Sequence, residues 1–352
     1  MRISITFGGA RNSDWDGATD FVVEAERLGA HDVWSAEAWG YDAVTPLAYL
    51  AAKTSRIRLG TGIIQAGTRT PALVAMTAMS LAAMSNDRFV LGFGTSGPQV
   101  IEGWHGFRFR RPLQRMREIV DIVRMATAGQ RVAYEGSFYT LPLPGGEGKS
   151  LRSGARPCNV PIYLATLSPR SLEMTGELAD GWLGTSFMPE HADVFVEYIS
   201  AGAEKAGRSL EDIDLQAGGA VAFGDDLERL IAPRKPGLAF TLGAMGSREH
   251  NFYNRAFQRA GYEDLALKAQ GLWLDGKRDE AAALVPDEMV IETNLLGTEA
   301  QVRDRVRAYR DAGVTTLRVQ PAGRTPGERL ETLGRAMDLV KEVSAEPAAA
   351  RS

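Results

Sequence analysis

Two side chains capable of proton transfer lie just after predicted β-strands. Glu37 lies in residues 36–42, after the second strand, where a partly buried carboxyl group can give or take a proton near neutral pH. His105, between Trp104 and Gly106, is the one histidine of four placed in such a segment. The sequence predicts acid–base chemistry at Glu37, with His105 as the second candidate. A solvated loop acid or a structural ion pair is the alternative for Glu37.

Glycine-rich segments end the third and fourth predicted strands. In residues 60–67 the glycines indicate a bulge, a close backbone approach to a ligand, or tight packing of the strands. Residues 92–97 have the letters of a dinucleotide-binding loop, Gly-x-Gly-x-x-Gly. Such a loop opens directly into a helix, whereas here Pro98 and residues 102–112 intervene. We therefore expect a polar ligand at these segments and no Rossmann-type dinucleotide site.

An anion site is predicted after the fifth strand. Ser168 is a candidate helix cap, Pro169 suits the first helical position, and Arg170 adds a positive charge beside free backbone N–H groups. This combination favours a bound phosphate. An ordinary helix cap would share the serine and the proline but has no need of the arginine.

Other classes of function are disfavoured by composition. The net charge of −4 gives no electrostatic case for nucleic acid or an anionic membrane surface, and no stretch reaches about 18 uninterrupted apolar residues. The histidines lack metal-ligand spacing, so we expect no metal, and Gly-x-Ser-x-Gly is absent. Cys158 is the single cysteine and precludes an internal disulfide. These features predict a cytoplasmic protein that acts on a small molecule.

Hydrophobic periodicity predicts strands and helices in alternation. The expected strands are residues 3–7, 31–35, 57–64, 89–93, 162–165, 181–184, 214–221 and 316–319, with a surface hairpin at 132–141. Helical connections imply parallel pairing, and eight strands suit a closed α/β barrel, the (β/α)8 or TIM barrel. A helical insertion at about 226–290 precedes the last strand. We expect one domain over residues 1–344 and a disordered tail at 345–352.

The ordered set of these motifs resembles the luciferase-like, coenzyme F420-dependent oxidoreductases, with methylenetetrahydromethanopterin reductases among the nearest in pattern. The residues that carry this resemblance are 60–63, 69–71, 91–99, 102–106, 179–182, 245–248 and 251–254. The resemblance implies a deazaflavin bound at the carboxyl ends of the barrel strands. It also implies a non-prolyl cis peptide at Gly62–Ile63 behind the deazaflavin ring.

The resemblance assigns roles to individual residues. It implies a cofactor contact at Thr95 and Ser96, and a phosphate contact at Leu167, Ser168 and Arg170. Further residues complete the predicted site: Gln65 beside the bulge, Thr185 after strand six, and Trp39, Tyr41 and Trp104 as aromatic pocket walls. Ordinary packing is the alternative for each of the three aromatic residues.

Two departures narrow the substrate. The sugar-phosphate and alcohol dehydrogenases of this group carry an Asp-His pair where this chain has Ala36-Glu37, and an acid where it has Gly97. We therefore expect neither of those substrate classes.

The resemblance implies hydride transfer between the deazaflavin and a small organic substrate. An FMN-dependent monooxygenase on the same barrel, or a barrel that binds the cofactor without catalysis, is the alternative. Relatives often form homodimers, which extends to this chain by analogy alone.

Overall fold

The computed structural model describes residues 1–7, 14–246 and 251–347. Its strands are β1 (Arg2–Thr6), β2 (Asp32–Ser35), β3 (Arg58–Thr61), β4 (Ile64–Gln65), β5 (Phe89–Gly94), β6 (Tyr134–Glu135), β7 (Thr140–Leu141), β8 (Ile162–Ala165), β9 (Gly181–Leu183), β10 (Asp214–Ala217), β11 (Ala220–Phe223), β12 (Leu295–Gly297) and β13 (Thr316–Pro321). The strands β1, β2, β3, β5, β8, β9, β10 and β13 pair in parallel in this order.

Pairing of the last strand with the first closes the barrel. Ile3 of β1 lies opposite Leu317 of β13, in parallel register. The barrel predicted from the sequence is therefore confirmed. In such a barrel the loops at the carboxyl ends of the strands form the functional face.

Helices surround the barrel and fill the insertion. They are α1 (Trp15–Leu28), α2 (Val44–Ala51), α3 (Pro71–Met84), α4 (Pro98–Ile101), α5 (Pro112–Thr127), α6 (Pro169–Leu178), α7 (Asp193–Lys205), α8 (Leu227–Ile231), α9 (Lys235–Ala244), α10 (Phe252–Phe257), α11 (Glu263–Leu274), α12 (Arg278–Ala283), α13 (Asp287–Glu292), α14 (Glu299–Asp311) and α15 (Pro326–Ala345). Helices α8 to α13 make up the insertion before the last barrel strand.

Local sequence explains where several helices begin. Thr70 caps α3, with its hydroxyl accepting from Leu73 N, and Pro71 follows at the first helical position. Thr298 and Gln301 form a reciprocal capping box at the start of α14.

Two predicted strands are shorter than expected. The strand predicted at 57–64 ends at Thr61, and after the cis peptide Gly62–Ile63 the chain resumes as β4. The strand predicted at 214–221 is divided at Gly218–Gly219 into β10 and β11. A side chain at either glycine would overlap a backbone oxygen, since an added Cβ lies 2.3 Å from Arg318 O or 2.2 Å from Thr293 O. Backbone crowding therefore sets this break.

The segment Leu295–Gly297, which the sequence analysis did not assign to a strand, is β12. It pairs with β11, and β11 pairs in turn with the end of β13. The chain thus returns from the insertion to the barrel beside the strand from which it left. The surface hairpin predicted at 132–141 forms by pairing of β6 with β7.

The hydrophobic core has three parts. The largest lies between the barrel and its helices, and a second lies within the insertion, around Leu242, Phe257 and Met289. The third fills the barrel interior with Trp34, Val90, Tyr163 and Leu183.

The carboxyl-terminal end of the described chain includes the end of α15 and is paired with α14. Ala345, the first residue of the predicted tail, ends α15, and Glu346 pairs with Arg307 at 2.7 Å between Oε1 and Nη2. Residues 348–352 of that tail lie outside the described residues. Over the described ranges, no helix has the length and apolar character needed to cross a membrane.

Candidate active site

A cavity of about 690 Å³ opens at the carboxyl ends of the barrel strands. It is within the size range of cofactor sites. Its lining residues come from the loops after β2, β3, β5 and β8 and from the insertion: Ala36–Trp39, Gly62, Ile63, Gly94–Gly97, Gln99, Val100, Arg111–Gln114, Ala165–Ser168, Ser171, Phe240, Ala244–Gly246, Phe252 and Tyr253. The barrel and the insertion therefore enclose the same space.

The interior of the barrel is filled by packed side chains rather than left as a channel. Trp34 is 1 % exposed, and its indole Nε1 donates to Gln216 Oε1 at 2.9 Å. Its ring lies 5.5 Å from that of Tyr163, between centroids. These side chains separate the cavity from the opposite end of the barrel.

The glycines at the strand ends divide into two groups. An added Cβ at Gly60 would lie 2.3 Å from the Trp34 ring, and one at Gly92 would lie 1.8 Å from Thr61 O. Barrel packing therefore accounts for Gly60 and Gly92. Gly62 and Gly94, by contrast, line the cavity.

The bulge after β3 has the form that the resemblance implies. The Gly62–Ile63 peptide is cis, and both residues line the cavity. Ile63 Cδ1 lies 3.0 Å from the position of an added Cβ on Gly94. A larger residue at Gly94 would therefore displace the Ile63 side chain from its place on the cavity wall.

Glu37 lies on the cavity wall in a bidentate ion pair. Arg69 Nη1 donates to Oε1 at 2.5 Å and Nη2 to Oε2 at 2.8 Å. The backbone N–H groups of Ala43 and Gln65 donate to the same carboxylate. This is the ion-pair arrangement named as the alternative for Glu37, and it gives the carboxylate four hydrogen bonds.

The loop after β5 contributes polar groups. Thr95 and Ser96 line the cavity, and Thr95 Oγ1 donates to Ser96 O at 3.2 Å. Ser96 has a φ of +56°, in the left-handed region that non-glycine residues seldom occupy. The turn here thus places two hydroxyl-bearing residues at the cavity.

The start of α6 forms another part of the wall. Leu167 and Ser168 line the cavity, and Ser168 forms a reciprocal capping arrangement with Ser171. Arg259 of the insertion holds this loop, since its Nη2 donates to Leu167 O at 2.5 Å. The free N–H groups of the first helical turn favour an anion here.

Of the residues predicted for the site, eight line the cavity: Glu37, Trp39, Gly62, Ile63, Thr95, Ser96, Leu167 and Ser168. The other predicted residues are outside the lining. They are Tyr41, Gln65, Trp104, His105, Arg170 and Thr185.

Three of the residues outside the lining have other contacts. Tyr41 packs edge-to-face against Trp15 at 5.1 Å between ring centroids. The buried Gln65 donates through Nε2 to Ala38 O, and Trp104 is 65 % exposed. The structure thus brings the predicted glycines and hydroxyls together, but only Trp39 of the three predicted aromatic walls.

Tyr253 is a site residue that the sequence analysis did not single out. Burial raises the pKa of its phenol, while a hydrogen bond with Thr185 and the charge of Arg318 oppose that rise. Thr185 therefore lies one contact behind the cavity wall. Burial also lowers the pKa of Arg318 to about 10.

The signal for Tyr253 was present in the sequence, because residues 251–254 carried part of the resemblance. No sequence pattern indicated the contribution of Phe240 or of Arg111–Gln114. Residues 245–248 of the insertion also carried part of the resemblance. Met245 and Gly246 line the cavity, whereas Ser247 and Arg248 lie outside the described residues. Among the described residues, no group of three or more His, Cys, Asp or Glu side chains could hold a metal ion.

Comparison with known proteins gives concordant results. A Mycobacterium tuberculosis protein named as a coenzyme F420-dependent oxidoreductase is 40% identical over 307 residues, which cover 85% of this chain and 88% of that protein. The 5,10-methylenetetrahydromethanopterin reductase of Methanolobus tindarius is 27% identical over 325 residues, or 88% of this chain and 92% of the reductase.

A solved structure shows the same fold. The coenzyme F420-dependent tetrahydromethanopterin reductase from Methanopyrus kandleri superimposes with a TM-score of 0.79 at 24% identity, covering 95% of this chain and 98% of that one. The sequence profile of the luciferase-like monooxygenases matches residues 3–316. Since that match spans most of the sequence, the chain belongs to the luciferase-like monooxygenase family.

Proposed function

We propose that this protein is a coenzyme F420-dependent oxidoreductase that transfers hydride between the deazaflavin and a small organic substrate. One observation carries the proposal: the Gly62–Ile63 bulge and the start of α6 at Ser168 open into the same cavity. A planar ring and an anionic group at its other end can therefore be bound together. The F420-dependent relatives described above support the choice of cofactor.

The residues present suit such a cofactor. Gly62 and Ile63 offer a surface without a bulky polar group for the ring, and Thr95 and Ser96 offer hydroxyls and backbone N–H groups. Leu167 and Ser168 begin α6, where a phosphate would be stabilised. Contacts of Gln65 and Arg170 with the cofactor remain predictions, since neither residue lines the cavity.

When bound, coenzyme F420 supplies a ring carbon that accepts or donates hydride. Unlike a flavin, the cofactor does not readily activate oxygen. The protein's task is to align the two reactants at about 3–3.5 Å and to exclude water. Ile63, Ala165 and Phe252 form apolar parts of the cavity wall that serve this exclusion. Trp39 extends this wall at the entrance, where it is 59 % exposed.

Proton transfer to or from the substrate is assigned to the polar groups of the wall. Glu37 remains the predicted group, although Arg69 and two backbone N–H groups already occupy its carboxylate. His105 would act only if its loop moved, because it is not part of the lining. Tyr253 also lines the cavity and is a third candidate, with its phenol in a hydrogen bond with Thr185.

The proposal is tested by measuring cofactor binding and turnover without oxygen. Protein from a host that makes coenzyme F420 should copurify with a violet-absorbing cofactor. Titration should show at least about 10-fold tighter binding of F420 than of FMN, or about 1.4 kcal/mol. Tighter binding of FMN, together with oxygen-dependent turnover, would identify a monooxygenase. Binding of F420 without hydride transfer to any acceptor would identify a non-catalytic barrel.

A paired substitution links binding to the described cavity. Gly94→Val should weaken F420 binding roughly 10-fold or more, because its side chain meets Ile63 on the cavity wall. Gly334→Ala is the control, since an added Cβ on that α15 glycine has no atom within 4 Å. Equal binding by both variants would place the cofactor elsewhere.

A cytoplasmic location is proposed on the single cysteine, since Cys158 cannot form an internal disulfide. Fractionation of the native cells would test it, and recovery of the protein outside the cytoplasm would refute it.

A further inference from the structure

Three exposed arginines lie in the segment that precedes α5. Arg108, Arg110 and Arg111 occur within four residues and are all exposed. Within the described part of the chain, none of the three side chains forms an ion pair, a side-chain hydrogen bond or a ring contact. The one acid near them in sequence, Glu102, accepts a hydrogen bond from Phe109 N. Among the described residues, no acidic side chain therefore pairs with this concentrated positive charge.

Arginines elsewhere on the surface commonly have acidic partners. Arg117 binds Glu177, Arg156 binds Asp87, and Arg303 binds both Glu299 and Glu342. A net charge of −4 also leaves acidic residues in excess over the chain as a whole. Within the described ranges, the lack of acidic partners for the side chains of Arg108, Arg110 and Arg111 is thus a local feature and does not follow from the overall composition.

The segment adjoins the cavity. Arg111 is part of its lining, together with Pro112, Leu113 and Gln114 at the start of α5. Ser168, at the predicted phosphate end of the site, lines the same cavity. Arg111 and Ser168 therefore belong to the wall of one cavity, and Arg108 and Arg110 precede Arg111 directly in the chain.

The backbone of Arg111 is held in an unusual conformation. Its φ of +44° lies in the left-handed region, where a residue with a Cβ is disfavoured and glycine or asparagine is common. The chain nevertheless has arginine at this turn, immediately before Pro112. A turn that served only to start α5 would not require a cationic side chain.

We propose that Arg108, Arg110 and Arg111 bind the anionic tail of the cofactor, an inference that rests on the proposed function. Coenzyme F420 continues beyond its phosphate into a chain of glutamate residues, whereas FMN ends at its phosphate. Carboxylates are the groups that arginine recognises in bidentate fashion. The segment thereby selects the long cofactor over a flavin, and its effect grows with the number of carboxylates.

The test compares deazaflavin forms that lack successively more of the tail and phosphate, with FMN as the flavin reference. Dissociation constants are measured by fluorescence quenching for F420 with several glutamates, for the form that ends at the lactyl phosphate, for the deazaflavin nucleoside without phosphate, and for FMN. The triple variant R108Q/R110Q/R111Q should bind the glutamate form roughly 5- to 10-fold more weakly than the wild type. Its affinity for the nucleoside should stay within about 2-fold.

A matched variant controls for net charge. R27Q/R229Q/K341Q removes three exposed positive charges that do not line the cavity and should bind every form as the wild type does. Raising the salt concentration should weaken wild-type binding of the glutamate form and have less effect on R108Q/R110Q/R111Q, because exposed charge pairs are screened. Circular dichroism would show that all variants are folded.

The outcomes separate this inference from the proposed function. If the wild type bound no deazaflavin at all, the proposed function would fail. If it bound the lactyl phosphate form and the glutamate form with equal affinity, or if the triple variant matched the wild type, the tail site would be refuted and the proposed function would stand. Equal weakening of every form would also refute it, since the arginines would then shape the cavity rather than bind the tail.

Discussion

Glu37 and Arg69 join two of the loops that form the cavity wall. Glu37 follows β2, and Arg69 lies in the turn that leads from β4 to α3. The Glu37 side chain is 7% exposed and that of Arg69 20% exposed, so the pair is largely desolvated. The hydrogen bonds that Arg69 donates to Glu37, together with the charge of that carboxylate, raise the pKa of Arg69 despite the burial that lowers it. This favours a positioning role for Glu37 over proton transfer.

Glu37→Gln should therefore lower stability more than it alters chemistry. Loss of one charge leaves Arg69 desolvated without its partner, at a cost of roughly 2–3 kcal/mol in the free energy of unfolding. The double variant Glu37→Gln/Arg69→Met should recover part of that loss, with a coupling energy above about 1 kcal/mol. Urea unfolding of the wild type, of the single variants Glu37→Gln and Arg69→Met, and of the double variant measures this coupling.

Asp42→Asn supplies the control in the same loop. Asp42 Oδ1 accepts hydrogen bonds from Val44 N and Thr45 N, which asparagine can retain. If Glu37→Gln lost most of its kcat with unchanged stability, and its pH profile lost a limb, the catalytic prediction for Glu37 would be correct and the positioning role wrong.

Residue types predicted the glycines and hydroxyl-bearing residues of the cavity better than they predicted the contacts between its loops. Gly62, Thr95 and Ser168 could be identified because each follows directly from a strand end or a helix cap. Glu37 was found as a polar group, but its partner Arg69 is 32 residues away and no local pattern connects the two. Pairing of side chains across loops depends on the closed barrel, which composition does not specify.

At the scale of elements, Glu118 attaches the β6–β7 hairpin to α5. Its carboxylate accepts from the backbone N–H groups of Ser137, Phe138 and Tyr139, and from Gln114 Nε2. Burial would raise the pKa of Glu118, but the Gln114 and backbone hydrogen bonds together hold it below the usual value. The hairpin thus depends on a buried carboxylate of the helix beneath it.

Glu118→Gln should destabilise the protein by roughly 1–3 kcal/mol at neutral pH, because its amide NH₂ faces backbone donors. The folded-state pKa of Glu118 is depressed, so its stabilisation is present above the unfolded value of about 4.3 and is lost as pH falls through the folded value. The difference in urea midpoint between variant and wild type should therefore be constant from pH 7 to about 5 and shrink in more acidic solution.

Glu135→Gln in the same hairpin provides the comparison, since Glu135 is exposed. A difference for Glu118→Gln that grew in acid, or one no larger than that of Glu135→Gln, would contradict the anchoring role.

The sequence predicted most of the strands and helices, but it did not predict where a strand is broken or where a very short strand forms. Hydrophobic patterning located the barrel strands and most helices, since each is either an apolar run or has one buried face. The division at Gly218–Gly219 depends on contacts with Arg318 O and Thr293 O, which come from distant parts of the chain. Likewise β12 is three residues long, and only its pairing with β11 distinguishes it from a loop.

At the scale of the whole molecule, we propose that the barrel and the insertion form the single domain predicted over residues 1–344. The insertion begins after β11 and ends before β12, and these two strands pair with each other. Arg259 also ties it to Leu167 of the barrel. Thermal unfolding should show one transition by both near- and far-ultraviolet circular dichroism. Two separate transitions would contradict the single domain.

The predicted homodimer has a candidate surface on α3. This helix has no charged residue over its 14 positions, yet Leu73, Met76 and Met84 are 48%, 62% and 57% exposed. The adjacent α2 is also uncharged and exposes Tyr49. Helices that are apolar on all sides are normally covered, and a two-fold axis would bring α3 against its own copy. We therefore expect the second protomer to bind there.

Charge on that surface should separate the protomers. Met76→Glu in both copies would place two like carboxylates in an apolar interface, which costs several kcal/mol and should convert the dimer to a monomer at micromolar concentration. Leu267→Glu on α11, where the leucine is 49% exposed, should leave the dimer intact. Sedimentation velocity measures both. A monomeric wild type would refute the homodimer, and a dimer that survives Met76→Glu would place the interface on another face. In either case the cavity, whose described lining residues surround it within this chain, should still bind the cofactor.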